Sequence, residues 1–215
     1  MLVRNYVHML DSARRGLDYG GRKVSCNVYA INLPEGFTLI DSGFPTLAKE
    51  IYDELRGIQE GKPLSRILLT HSDLDHVGNA HDLQKMTGCK VYISQGEMVY
   101  ANSVKERFGI KQKMFEESGI KMPELTAYQG LQVDEFRIIP TPGHTEGHVS
   151  LLYEDILFPG DICSFIEGAF RGPNPTYTED MDRAWLELRK LGKYEFSLIC
   201  PAHGVPFERG NYFNL

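Results

Sequence analysis

LLTHSDLDHVGN, residues 68–79, sets two histidines and two aspartates, His71, Asp73, Asp75 and His76, directly behind an apolar run. Solvated loops rarely concentrate coordinating groups this way, so the stretch reads either as a polar turn or as part of a metal site. Its neighbours decide between the two. RILLT (Arg66–Thr70) before it has the composition of a short buried strand, and His76–Met86 after it carries a helical pattern.

The same construction recurs along the chain. LIDSG ends a strand with Asp41, IIPTPGHTEGH offers His144 and His148, LFPGD offers Asp161, and LICPAHG offers His203. Glycine or proline brackets most of these loops, which suits tight turns at strand ends. Several His- or Asp-bearing loops of one design make a metal site a better reading than a chance polar set. Imidazole and carboxylate donors suit zinc, iron, manganese or cobalt, and the motifs contain no cysteine for a soft thiolate site. His71, Asp73, Asp75, His76, His144, Asp161 and His203 are more donors than one tetrahedral ion uses. Two ions about 3.5–4 Å apart, sharing a bridging carboxylate, would employ them all.

The remaining pattern is mixed. Strands are expected over Val24–Asn32, Phe37–Asp41, Lys90–Ser94, Leu131–Val133, Phe136–Pro140, Val149–Tyr153, Ile156–Phe158 and Phe196–Cys200. Helices are expected over Thr46–Ile58, with Leu47, Ile51, Leu55 and Ile58 on one side, and over Met181–Leu191; residues 95–128 look helical but weakly periodic. Strands occur both in hairpin-like pairs and alternating with helices, so sheets covered by helices follow. The polar motifs fall at the C-terminal ends of apolar strands, where loops are free to carry chemistry.

The chain has 215 residues, 42% hydrophobic and 24% charged, which suits a single globular domain over 1–215 with a sizeable core. No apolar run approaches the roughly 18 residues of a membrane span, and MLVRNYVHML lacks the apolar core of a signal peptide. A net charge of −6 without a basic stripe argues against nucleic acid, and the Lys105–Lys113 cluster reads as a solvated helix face. Cys26, Cys89, Cys163 and Cys200 lie far apart with no CxxC spacing, which fits a reducing cytoplasm, and Cys26, Cys89 and Cys200 read as small hydrophobes in or beside strand-like runs. No GxSxG, HExxH or P-loop pattern offers a competing apparatus.

His-x-Asp-x-Asp-His at 71–76, then GHTEGH, LFPGD and PAHG, with the early LIDSG, resemble the metallo-β-lactamase superfamily. The motifs run in family order from Asp41 to His203. The resemblance implies an α+β fold, a four-layer αββα sandwich, and two divalent ions, zinc first with iron or manganese as alternatives. It implies that His71, Asp73 and His144 hold one ion, that Asp75, His76 and His203 hold the other, that Asp161 bridges, and that Asp41 supports without ligating. The one departure is Asp73, where the family signature has histidine. An aspartate oxygen has a comparable reach, so the ligand is expected to persist and to favour harder ions such as manganese or ferrous iron.

The expected activity is metal-dependent hydrolysis of a small-molecule thioester, lactone, ester or amide. A metal-held hydroxide would attack, and Asp75 would orient the water or take its proton. The alternatives are a diiron redox enzyme, since diiron members of the superfamily carry a carboxylate at the position of Asp73, and a phosphodiesterase acting on nucleic acid, which the acidic charge disfavours. His148 is expected to orient rather than ligate, and His8 and His81 to face solvent. Cys163 is expected to be an ordinary buried or pocket thiol, and Met98, Met114 and Met122 core fillers. Ser164–Tyr177 reads equally as a pocket wall presenting Phe165, Phe170, Arg171 and Tyr177 or as a surface loop. The 95–128 segment, with Tyr100 and Tyr128, reads as a helical insertion shaping the pocket.

Overall fold

The structure is a computed structural model that describes residues 1–19 and 22–213, with the side chains at 15, 17–19, 22 and 23 outside that description. The chain forms two compact units, Met1–Ile93 with Lys113–Thr126, and Ser94–Gln112 with Ala127–Leu215.

The first unit is built on a seven-stranded sheet in the order Leu2–Arg4, Val7–Met9, Tyr29–Leu33, Gly36–Ile40, Leu64–Leu68, Lys90–Ile93 and Leu125–Ala127. Its early strands pair antiparallel; Gly36–Ile40, Leu64–Leu68 and Lys90–Ile93 run parallel, joined by helical crossovers. Helix Ala48–Ile58 makes the first crossover, burying Ala48, Ile51 and Leu55 at helical spacing. The short helices Leu74–Val77 and Ala80–Thr87 make the second. Parallel pairing sets Ile40 beside Leu68, so the loops that begin at Asp41 and Leu69 leave from the same end of the sheet.

The second unit carries a six-stranded sheet in the order Gln132–Val133, Phe136–Pro140, Val149–Tyr153, Ile156–Phe158, Leu198–Ile199 and Phe207–Glu208. Pro140 pairs with Val149, so GHTEGH is the connection of a hairpin. Leu157 pairs in parallel with Ile199, so the loops bearing Asp161 and His203 also leave from one end. Helix Met181–Leu191 is capped by Asp180, whose carboxylate accepts from Arg183 N at 2.9 Å, and it buries Leu188 and Leu191 against Ile139, Leu157 and Ile199.

Most expected elements appear, several with the expected bounds. The expected strand Val24–Asn32 is not continuous. Arg22–Val24 pairs antiparallel with Leu17–Tyr19 in a separate two-stranded sheet, and the strand of the seven-stranded sheet begins only at Tyr29. Cys26, Asn27 and Val28 are all buried, so burial there is not the alternation of a one-faced strand. The expected helix His76–Met86 is two helices, broken at Gly78. A Cβ at Gly78 would lie 2.5 Å from the carbonyl oxygen of Gly43, a close approach that only glycine permits. The 95–128 segment holds a 3-10 turn Gln95–Glu97, helices Met98–Ala101 and Lys111–Ser118, and the edge strand Leu125–Ala127. Met98, Met114 and Met122 are half-buried rather than core. Ser164–Tyr177 contains a hairpin, Ser164–Ile166 with Ala169–Arg171.

Candidate metal centre

Four candidate ligands converge in the first unit, His71, Asp73 and His76 buried and Asp75 half-buried. The Nε2 atom of His71 lies 3.3 Å from Asp73 Oδ2, and the Nε2 of His76 lies 3.8 Å from Asp75 Oδ2. The two imidazoles are neighbours, with ring centroids 3.9 Å apart. Asp41, at a left-handed φ of 58°, turns its carboxylate under them. That carboxylate accepts from Thr70 N at 2.8 Å, from the Thr70 hydroxyl at 2.9 Å and from His76 Nδ1 at 2.9 Å.

These contacts assign protons. A carboxylate only accepts, so His76 carries its hydrogen on Nδ1 and presents the Nε2 lone pair. Thr70 spends its one hydroxyl proton on Asp41, so its oxygen accepts from His71 Nδ1, 3.0 Å away, and His71 Nε2 is likewise a lone-pair donor. Both rings are thereby held in the tautomer and orientation a metal ligand needs. The loop itself is fastened by Asn79, whose amide donates at 2.6 Å to the carbonyls of Ser42 and Phe44 and accepts from Leu47 N at 2.8 Å. Ser42 completes the fastening by donating to the carbonyl of His76 at 2.8 Å.

In the second unit His144, Asp161 and His203 converge. Asp161 directs Oδ2 to His144 Nε2 at 3.4 Å and Oδ1 to His203 Nε2 at 3.3 Å, one oxygen for each imidazole. His148 does not compete for that position. Its Nε2 accepts from the backbone N of Asp161 at 3.1 Å and its Nδ1 faces the Thr141 carbonyl at 3.1 Å, so it orients the Asp161 turn, in line with the sequence reading. Gly204, next to His203, forms a β-bridge with Phe165 of the hairpin Ser164–Ile166 with Ala169–Arg171.

Glu97, fully buried, is a residue that sequence reasoning missed. Its carboxylate accepts from the Thr145 hydroxyl and from Gly147 N at 3.2 Å, inside the GHTEGH turn. The Ser94 hydroxyl donates to the Gly147 carbonyl. Tyr100 donates to Glu179 at 2.9 Å, and burial pushes its hydroxyl up to about 12. Lys105 donates to Tyr100, Glu146 and Glu179 at 3.0–3.1 Å, which raises its pKa, the Tyr100 bond foremost. The segment 95–112 thus grips both flanks of His144.

Several sequence readings change. The Lys105–Lys113 cluster is not a uniform solvated face: Lys105 is tied into that network and Lys111 is buried. His81 does not simply face solvent; its Nδ1 lies 3.2 Å from the Met122 carbonyl. Phe165 and Phe170 pack inward, stacking on Phe207 and Tyr212 with centroids 4.8 and 5.2 Å apart. Cys163 is a buried thiol as expected, its pKa pushed well up by that burial. Cys26 is buried as expected, but its sulfur lies 3.9 Å from His76 Nε2, a proximity that no motif announced.

Comparison with known proteins identifies the family. Residues 21–203 match the family model of the metallo-β-lactamase superfamily. The probable metallo-hydrolase YflN of Bacillus subtilis (strain 168) is 30% identical, the match covering 86% of this chain and 83% of that one. The hydroxyacylglutathione hydrolase of Shewanella pealeana is 29% identical over 68% of this chain, which spans about half (49%) of that protein's length. The structure of TTHA1623 in a di-iron-bound form superposes with a TM-score of 0.67 at 23% identity, covering 90% of this chain and 93% of that one. The chain therefore belongs to the metallo-β-lactamase superfamily and is a hydrolase built on its α+β fold.

Proposed function

We propose that the chain is a hydrolase that uses two divalent ions to cleave a small-molecule thioester, lactone, ester or amide. Following the family pattern, His71, Asp73 and His144 would hold one ion, Asp75, His76 and His203 would hold the other, and Asp161 would serve both. The observation that carries this reading is the Asp161 carboxylate, which offers one oxygen beside His144 and the other beside His203. Two donors each about 2.1 Å from a tetrahedral ion stand about 3.4 Å apart. The His71–Asp73, His144–Asp161 and His203–Asp161 separations of 3.3, 3.4 and 3.3 Å all match that spacing. The donor chemistry fits zinc first, with iron or manganese as alternatives that Asp73 favours.

Bound, the ions supply Lewis acidity that acidifies a water and stabilises developing negative charge on the substrate oxygen. The protein's own residues do the rest. Asp75, half-buried beside His76, orients the attacking water and takes its proton. Asp41 and Thr70 hold the two imidazoles in the ligating tautomer, and His148 and Glu97 hold the turns that carry Asp161 and His144. The 95–128 segment shapes the substrate pocket; the grip of Tyr100 and Lys105 on the flanks of His144 supports this. Acylglutathiones are thioesters, so likeness to hydroxyacylglutathione hydrolases puts thioesters first. None of the four buried cysteines is disulfide-bonded, which fits a reducing cytoplasm, and no helix among the described residues is long and apolar enough to cross a membrane.

A second reading, diiron redox chemistry, draws support from the carboxylate at Asp73. Protein purified without added metal, assayed by elemental analysis and against thioester, lactone, phosphodiester and β-lactam substrates with defined metals, separates the two. The hydrolase reading expects about two ions per chain and zinc- or manganese-supported thioester or lactone turnover. One ion or none, or iron with oxygen-linked turnover and no hydrolysis, overturns it.

A further inference from the structure

We infer that Cys26 is a further metal ligand, its sulfur joining His76 and Asp75 around one ion. The inference rests on the dinuclear reading above and adds to it a donor that the superfamily motifs do not contain. Cys26 Sγ lies 3.9 Å from His76 Nε2, and Asp75 Oδ2 lies 3.8 Å from the same nitrogen. The donor atoms of all three residues fall within 4.8 Å of one another. Sulfur at about 2.3 Å and imidazole nitrogen at about 2.05 Å from a tetrahedral ion stand about 3.6 Å apart. The observed separation is a few tenths of an ångström longer, within the adjustment of one side-chain rotamer.

Orientation supports the assignment independently. Asp41 engages His76 through Nδ1, so the lone pair of Nε2 is directed to the side where Cys26 and Asp75 stand. Cys26 and His76 are both fully buried, and Cys26 belongs to the buried non-alternating run ahead of strand Tyr29–Leu33. Val28 in that run is pinned by its carbonyl to Leu10 N at 2.9 Å. A thiol placed this way does more than fill space. On coordination its S–H bond breaks, the proton passes to solvent and a sulfur–metal bond forms, with no change of oxidation state. The two ions then sit in different surroundings: Asp73 hardens one site, and Cys26 softens the other towards zinc or ferrous iron over manganese.

Cobalt(II) substitution tests this without reference to activity. The wild-type protein loaded with cobalt should show a near-ultraviolet sulfur-to-cobalt charge-transfer band. Cys26→Ser should abolish the band while keeping two cobalt ions, and Cys163→Ala should leave it intact. X-ray absorption of the zinc-loaded wild type needs no variant and should show a sulfur scatterer at about 2.3 Å. Two bound ions with no such band and no sulfur shell overturn the role of Cys26 and leave the hydrolase reading standing. Failure of the wild type to take up metal overturns both. A band that survives Cys26→Ser but vanishes in Cys163→Ala assigns the sulfur elsewhere and also overturns the inference.

Discussion

Replacing Thr70 by valine is nearly isosteric and removes one hydroxyl that serves two masters. In the wild type that hydroxyl donates to Asp41 and accepts from His71 Nδ1. His76 does not depend on it to the same degree, because its own bond to Asp41 at 2.9 Å remains, as does the bond from the backbone N at position 70. The prediction is therefore asymmetric. His71 loses the partner that sets its tautomer, and affinity for the ion assigned to His71 and Asp73 falls about 10–100-fold, the usual effect of losing an orienting partner. That is about 1.4–2.8 kcal/mol. The ion assigned to His76 is held nearly as before. The Nδ1–H of His71, buried with no exposed surface, also loses its acceptor, which costs about 1–3 kcal/mol of stability in metal-free protein. Competitive chelator titration should resolve two steps in the wild type and show only one displaced in Thr70→Val, while urea unfolding under chelator reads the second quantity. Equal weakening of both steps, or an unchanged unfolding midpoint, would refute the tautomer argument.

Three further perturbations address other parts of the frame. Glu97→Ala leaves the Thr145 hydroxyl and the Gly147 N–H without their carboxylate, and should cost about 2–6 kcal/mol in chelator-treated protein by urea unfolding; an effect below about 1 kcal/mol contradicts the anchoring role. Gly147→Ala places a Cβ 2.3 Å from Glu97 N and 2.4 Å from the Gly96 carbonyl carbon, so the turn must shift; a loss of about 1–3 kcal/mol is expected, and a neutral result in the same assay refutes the close approach. Burial, and secondarily the N-terminal ammonium, lower the pKa of His8, so the unfolded chain binds this proton more tightly. Stability is then full above about pH 6.5 and falls as pH drops below it. The stability gap between wild type and His8→Gln should therefore move against the wild type between neutral and mildly acidic pH, and a pH-independent gap is the contrary outcome.

The parts of the centre that were legible in the sequence are those where a short motif carries both donor and geometry. Asp161 follows Pro-Gly at the end of an apolar strand, and His71 to His76 follow RILLT, so strand, turn and donor are read together. His148 was legible as an orienting residue because His144 already filled the ligand position of its motif. Cys26, Thr70 and Glu97 were not legible as site residues. Cys26 meets His76 across 50 positions, and Glu97 meets Thr145 across 48, from segments with no motif of their own. Thr70 sits inside the motif, but a threonine hydroxyl after a strand has no signature until its partners are in place. The continuous strand expected at Val24–Asn32 failed for a related reason: a run buried on all sides shows apolar content but not whether its backbone pairs.

Position 73 carries a consequence for how such a centre changes over generations. Asp73 precedes the helix Leu74–Val77 in an extended conformation, φ −67° and ψ 156°, and its side chain makes no capping bond to that helix. The loop is fastened instead through Asn79 and Ser42, outside the coordinating stretch. The backbone therefore does not depend on which donor stands at 73 for its cap. A single nucleotide change converts an aspartate codon to a histidine codon, so under the proposed ligation ion preference at this position would be a heritable trait one mutation wide, able to drift with the metals a cell supplies while the frame around it stays unaltered.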